Sequence, residues 1–233
     1  MNKVGTWELL QKKMTWEQLG DFENKVILDF GSGNGVTAEH YAQHNKVYAI
    51  EPNAEFMPTS VLENVTQICG DVKKLLQFKD GFFDVVICHN VLEYAQEREE
   101  IVQQFARVLK ADGLLSVVKH NVAGRVMQMA VLLNNFDSAN ALLNGENGSA
   151  EKYGTINYYD DSDIFKWSDK FEAERILGQR VFWDLQQNQE IQKNEQWQKR
   201  MLELEHRVQD IDEFRNIAFF HHLILRRVKN EDL

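Results

Sequence analysis

The chain has 233 residues, 43% hydrophobic and 27% charged, with a formal net charge of −10. That length supports one large globular domain with a substantial core, and the composition excludes a disordered chain. The acidic balance argues against a global electrostatic grip on nucleic acid, and against DNA as a partner, but leaves room for a local basic patch.

No apolar run approaches the roughly 20 residues that cross a bilayer. Residues 1–20 carry Glu8, Lys12, Lys13 and Glu17 among their apolar positions, so no signal pattern is expected there. Cys69 and Cys88 sit in or beside strand-like runs. They read as small core residues in a reducing cytoplasm, with no spacing for a metal site.

In chain order, Met1–Asp21 predicts one or two short helices. Val26–Phe30 (VILDF) is a short apolar run, the pattern of a strand buried on both faces. Val36–Gln43 predicts a helix, Lys46–Ile50 a second strand, Ala54–Leu62 a helix and Val65–Cys69 a third strand. Phe83–Cys88 predicts a fourth strand and Arg98–Leu109 a helix stopped at Ala111-Asp112-Gly113. Leu114–Lys119 predicts a fifth strand. Strand and helix in alternation predict a parallel doubly wound α/β sheet.

Beyond His120 the pattern changes. Val122–Leu133 predicts an apolar helix, Asn144–Gly154 a surface loop, Phe165–Leu177 a helix and Gly178–Leu185 a strand. Gln186–Gln209 predicts a long polar helix, and Phe219–Val228 a closing strand. No linker is evident. A single domain over 1–233 is expected, with a helical segment at 1–21, a cofactor core at 26–119 and substrate-side elements with a closing hairpin at 120–233.

Ligands of open α/β sheets bind outside the carboxyl ends of the strands. Gly31-Ser32-Gly33-Asn34-Gly35 follows the first strand. A dinucleotide fingerprint needs glycine where Val36 stands, and no Walker lysine follows, so a pyrophosphate cradle is disfavoured. Glu51 ends the second strand, where an acid can accept both hydroxyls of a ribose. Asp71, with Val72 beside it, follows the third strand and suits an adenine, though a helix cap is equally open to it. His89 and Asn90 end the fourth strand over the crevice, and Glu93 can close it.

D-x-G-x-G-x-G at Asp29, the acid Glu51, Gly70-Asp71 and H-N-V-L-E-Y at His89–Tyr94 resemble the class I S-adenosylmethionine-dependent methyltransferases. The resemblance implies a Rossmann-like seven-stranded sheet with an antiparallel C-terminal hairpin and helical insertions. It implies S-adenosylmethionine as cofactor, held by Lys12, Gly31, Ser32, Gly33, Glu51, Asp71, Val72, His89 and Asn90.

A narrower set is similar to the bacterial tRNA 5-carboxymethoxyuridine methyltransferase group. It comprises G-T-x(5)-K at Gly5, Thr6 and Lys12, H-N-V-L-E-Y at His89–Tyr94, N-V-A-G-R at Asn121–Arg125, N-N-F-D at Asn134–Asp137, R-V-F-x-D at Arg180–Asp184 and L-E-L-E-H-R at Leu202–Arg207. That group methylates the carboxylate of a modified wobble uridine. Lys12 stands where the group has an arginine, keeping the charge without the bidentate fork. Residues 144–154 lack the lysine run of the tRNA enzymes.

On this reading the substrate enters over residues 121–159, with Asn121, Arg125, Tyr153 and Tyr158 as contacts. Arginine and tyrosine supply charge and stacking rings for single-stranded RNA. A small-molecule acid is the alternative acceptor. No residue is assigned as acid or base, because a carboxylate nucleophile is already anionic at neutral pH.

Overall fold

The apolar runs VILDF and FDVVIC form central strands because neighbouring strands and helices cover nearly every side chain they carry. The computed structural model describes residues 5–60, 62–150 and 154–228. Helix α1 (Thr6–Leu19) leads into β1 (Val26–Phe30), α2 (Val36–Ala42), β2 (Lys46–Glu51), β3 (Val65–Cys69) and β4 (Phe83–His89). Then come α3 (Arg98–Val108), β5 (Leu109–His120), α4 (Val122–Met127), α5 (Phe136–Leu143), β6 (Gly148–Ala150) and β7 (Gly154–Ile156). The chain continues through α6 (Asp163–Trp167), β8 (Phe171–Gln179), α7 (Glu195–Val208), α8 (Asp212–Arg215) and β9 (Phe220–Arg227).

Seven strands form one sheet in the order β3-β2-β1-β4-β5-β9-β8, and β6 and β7 form a separate antiparallel pair. β2, β1 and β4 pair in parallel, as does β3 with β2. β8 and β9 run in opposite directions: Val228 N–H donates to Lys170 O at 3.0 Å, and Phe219 N–H to Arg180 O at 3.3 Å. This is the expected Rossmann-like sheet with its antiparallel closing pair. Among the described residues, no helix is long and apolar enough to cross a membrane.

The described residues divide into two compact units. One comprises 21–117 (without 61), 159–175 and 223–228. Its centre is β1 and β4, where Ile27, Leu28, Val86 and Phe83 are fully buried. Each such side chain contributes about 1.5–3 kcal/mol on leaving water. Phe30 meets Phe105 of α3 edge-on at 5.2 Å. The second unit comprises 5–20, 118–158 (without 151–153) and 176–222.

The second unit holds a buried polar seam between α1 and the end of β8. Gln11 Nε2 donates to Gln179 Oε1 at 2.7 Å, and Gln179 Nε2 donates to Gln18 Oε1 at 2.6 Å. Gln18 Oε1 also lies 2.9 Å from His222 Nδ1. An amide oxygen accepts only, so Nδ1 of the fully buried His222 carries the proton.

Several expected elements differ. Residues 54–60 form turns rather than a helix. Asn53 folds the chain back by accepting Glu55 N–H on its side chain at 3.0 Å, and Pro58 cannot extend a helix. β5 begins at Leu109, directly after α3, and passes through Asp112 at φ +60° instead of starting after it. The helix expected at 165–177 is the short α6 followed by β8, and residues 180–185, expected as strand, leave the sheet at Arg180. The apolar helix at 122–133 is α4 continued by a π-helical turn, Gln128–Leu132.

Residues 144–154 hold β6 and the start of β7 rather than a plain loop. The long polar helix is shortened to α7, preceded by a 3₁₀ turn at Gln189–Lys193 and capped by Asn194, whose side chain accepts Trp197 N–H at 2.9 Å. Cys88 is buried as expected, but Cys69, on strand β3 at the end of the sheet, is exposed.

Candidate functional site

The candidate site is built from four strand ends of the first unit. The turn after β1 needs glycine: Gly31, Gly33 and Gly35 have φ of +75°, +51° and +77°. Gly31 and Ser32 donate their N–H groups to Ile50 O at 2.8 and 3.1 Å, tying the turn to β2. A Cβ on Gly31 would stand 2.3 Å from Val91 Cγ2, so the chain after β4 packs directly on this backbone. Left-handed strain and the collision add, and Gly31→Ala is expected to lower stability by about 3 kcal/mol. The midpoint of urea unfolding measures it.

Glu51 is buried, 6% exposed, at the end of β2. Its Oε2 accepts Gly33 N–H and its Oε1 accepts Asn53 N–H, both at 2.9 Å. One carboxylate thus holds both the glycine turn and the chain leaving β2. A carboxylate offers about four lone-pair positions, so two remain for hydroxyl donors.

Asp71 is exposed and caps the 3₁₀ turn Val72–Gln77, accepting Lys73 N–H at 2.9 Å. The cap open to it in the sequence is formed, and its second oxygen is the group left for a ligand. Val72 beside it is buried. His89 Nε2 lies 2.7 Å from Ser116 Oγ, which orients the ring at the end of β4. Asn90 adopts φ +56°, and its buried Oδ1 has no hydrogen-bond partner.

Gly31, Ser32, Gly33, Glu51, Asp71, Val72, His89 and Asn90 therefore all stand at strand ends of one unit. The unsatisfied Asn90 oxygen, the half-committed Glu51 carboxylate and the open space beside Gly33, where a Cβ would meet nothing within 4 Å, fit a polar nucleoside ligand. Lys12, Asn121, Arg125 and Tyr158 belong to the other unit. Tyr153 lies outside the described residues.

Residues 28–117 match the protein family described as Methyltransferase domain. This stretch of the chain carries a methyltransferase domain. The fold is similar to that of solved methyltransferases. A chain of the complex between the Trm112 methyltransferase activator and a methyltransferase of Haloferax volcanii superposes with a TM-score of 0.61 at 11% identity, covering 94% of this chain and 90% of that one. The 1,6-didemethyltoxoflavin-N1-methyltransferase of Burkholderia thailandensis, solved with S-adenosylhomocysteine, gives 0.57 at 11% identity, covering 97% of this chain and 79% of that one.

In sequence, the methyltransferase domain is similar to mouse thiol S-methyltransferase TMT1B, 30% identical over 122 residues, 47% of this chain and 50% of that protein. It is also 30% identical over 104 residues to a ubiquinone biosynthesis O-methyltransferase of Neisseria meningitidis, 41% of this chain and 44% of that protein. The chain spans about half the length of the curated relatives it matches.

In the other unit the structure gives the expected substrate residues partners of their own. The Asn121 amide nitrogen donates to Asn216 O and Ala218 O, both at 2.9 Å. Tyr158 packs on the Met129, Ala139 and Leu142 cluster. Arg125 donates through Nη1 to Gln128 Oε1, with its guanidinium 5.6 Å from the centre of the Phe219 ring.

The sequence places Glu205 inside L-E-L-E-H-R but assigns it no role of its own. It is fully buried on α7, where its carboxylate accepts Val181 N–H at 2.8 Å, Phe182 N–H at 2.9 Å and Trp183 N–H at 3.2 Å. Burial pushes its pKa up, against the three N–H donors that pull it down. Position alone carried no signal for it, because α7 reads as a polar surface helix.

Proposed function

We propose that the chain is a cytoplasmic S-adenosylmethionine-dependent methyltransferase whose acceptor is the carboxylate of a modified wobble uridine in tRNA. The cofactor reading is carried by the Glu51 carboxylate, which anchors the glycine turn and keeps capacity for ribose hydroxyls. Asp71 and Val72 would hold the adenine, and Gly31, Ser32 and Gly33 would bring backbone close to the methionine portion. His89 and Asn90 would supply its polar contacts. When bound, S-adenosylmethionine supplies a methyl group already activated on sulfonium, so the protein mainly positions the reactants. A carboxylate acceptor is anionic at pH 7 and needs no proton removed.

The tRNA reading is supported by how distant segments meet within one unit. N-V-A-G-R reaches R-V-F-x-D through Gln128, which accepts from Arg125 Nη1 and donates through Nε2 to Asp184 Oδ1 at 3.2 Å. L-E-L-E-H-R contributes Glu205, which holds the backbone of R-V-F-x-D. Three stretches that jointly resemble the tRNA group thus form one connected cluster. The alternative acceptor, a small-molecule acid, is favoured by the net charge of −10 and by the packed ring of Tyr158.

Mass spectrometry of tRNA nucleosides from a strain lacking the gene separates the two. The tRNA reading expects loss of a methyl ester on the wobble uridine. An unchanged nucleoside profile removes it and leaves the small acid.

A further inference from the structure

Helix α5 (Phe136–Leu143) carries apolar side chains on two faces. Its inner face, Ala139 and Leu142, packs with Met129 of the preceding π-helical turn. Phe136, Asn140 and Leu143 stand at i, i+4 and i+7, so they form one outer stripe along the helix, and all three are exposed. Phe136 is 58% exposed and Leu143 69%, and Val131 and Leu133, which lead into the helix, are 45% and 52% exposed. Large apolar side chains gathered on one surface mark a place where something docks.

The composition narrows what docks. Residues 126–145 hold a single charged side chain, Asp137, in a chain that is 27% charged, and they contain no Lys, Arg, Trp or Tyr. A helix lying on lipid surrounds its apolar face with basic residues, and nucleic acid also needs basic groups, so this surface suits neither. Asp137 follows Phe136 by about 100° around the helix, which takes it off the stripe. It stands in the first turn, where a negative charge suits the helix end. A cationic foreign partner would be drawn to the acidic surfaces of this chain. Two copies, each with net charge −10, approach with least repulsion where charge is missing.

The stripe is also complementary to itself. In either direction it reads large apolar, amide, large apolar. A two-fold contact pairs residue i with j and j with i. With two α5 helices antiparallel about an axis at Asn140, Phe136 of one copy meets Leu143 of the other. The two Asn140 amides then meet, each with donors and an acceptor to offer, and the antiparallel helix dipoles are favourably aligned.

We propose that the outer face of α5, with Val131 and Leu133 leading into it, is a homodimer interface in which two copies of this chain pair antiparallel about Asn140. Burying these four side chains on both copies removes roughly 700 Å² of apolar surface, which with a polar rim reaches about 1,200 Å², the lower edge of a specific interface. The dimer is therefore expected to be weak and to depend on concentration.

Sedimentation equilibrium of the full chain from about 1 to about 500 μM tests it. The apparent mass is expected to rise from 27.2 kDa towards twice that value. Phe136→Glu is expected to weaken association at least tenfold with its thermal midpoint unchanged, and Leu143→Glu is the second variant should the first fail to fold. The axis is tested by Asn140→Cys combined with Cys69→Ser, since Cys69 is exposed and Cys88 buried. Mild oxidation is expected to link two copies through position 140, and added Phe136→Glu to prevent it.

A wild type that stays monomeric throughout overturns the proposal. So does a dimer that both glutamate variants leave at wild-type strength, or one that position 140 does not link. A monomer that cosediments with phosphatidylcholine vesicles assigns the face to lipid, and one that enters a larger complex only in cell extract assigns it to a foreign protein. Either result overturns the homodimer.

Discussion

Glu51→Ala is expected to weaken S-adenosylhomocysteine binding about a hundredfold, read by isothermal titration calorimetry. Two effects combine. Hydrogen bonds from ligand hydroxyls to an ionised carboxylate contribute about 1.5–3 kcal/mol each, and each 1.4 kcal/mol is a factor of about ten in affinity. The substitution also releases the N–H groups of Gly33 and Asn53, which Glu51 holds at 2.9 Å, so the glycine turn loses its anchor. Glu51→Gln keeps the shape but lets one end of the side chain only donate, and about a tenfold loss is expected. Wild-type affinity in Glu51→Ala would refute the ribose role.

The second large effect is on stability. Glu205→Ala leaves the N–H groups of Val181, Phe182 and Trp183 without their acceptor inside a buried corner. An orphaned buried donor costs about 1–3 kcal/mol, so a loss of about 4 kcal/mol is expected in chemical denaturation. A loss below about 1 kcal/mol would show that water replaces the carboxylate. The pH dependence has a definite sign. The folded-state pKa is raised above the ordinary value of 4.5, chiefly by burial. The protonated form is therefore favoured in the folded state relative to the unfolded one. This group's contribution is fully present below the unfolded value and is lost as pH rises from about 4.5 through the raised folded value. The alanine variant should lack that part of the stability profile.

Much of the first unit was legible because its signals are local. Short, largely apolar runs such as VILDF and FDVVIC have the length and composition of strands buried on both faces, and glycines at every second position favour a sharp turn. The strand-end residues follow from that register. The second half resists the same treatment because long-range pairing overrides local preference there. Phe171–Arg175 (FEAER) is made largely of helix formers, yet it is strand β8, because its neighbour β9 supplies the ladder. The role of Glu205 was hidden for a related reason. An acid in a polar helix ordinarily faces water, and its partners lie 22–24 residues earlier, around a corner that only the folded chain forms.

The interleaving of the two units in sequence bears on how the protein reaches its native state. Neither unit is a continuous segment: each collects three separated stretches, and the last stretches run through 176–222 and from 223 onward. β9 joins the sheet between β5 and β8, so the ladder on that side cannot close until the chain as far as Arg227 has been synthesised. Contacts of such high sequence separation slow folding, since the loop entropy is lost before the pairing energy returns. During synthesis the exposed side of β5 must therefore wait for its partner, and this interval is when the nascent chain is most open to mispairing and to chaperones.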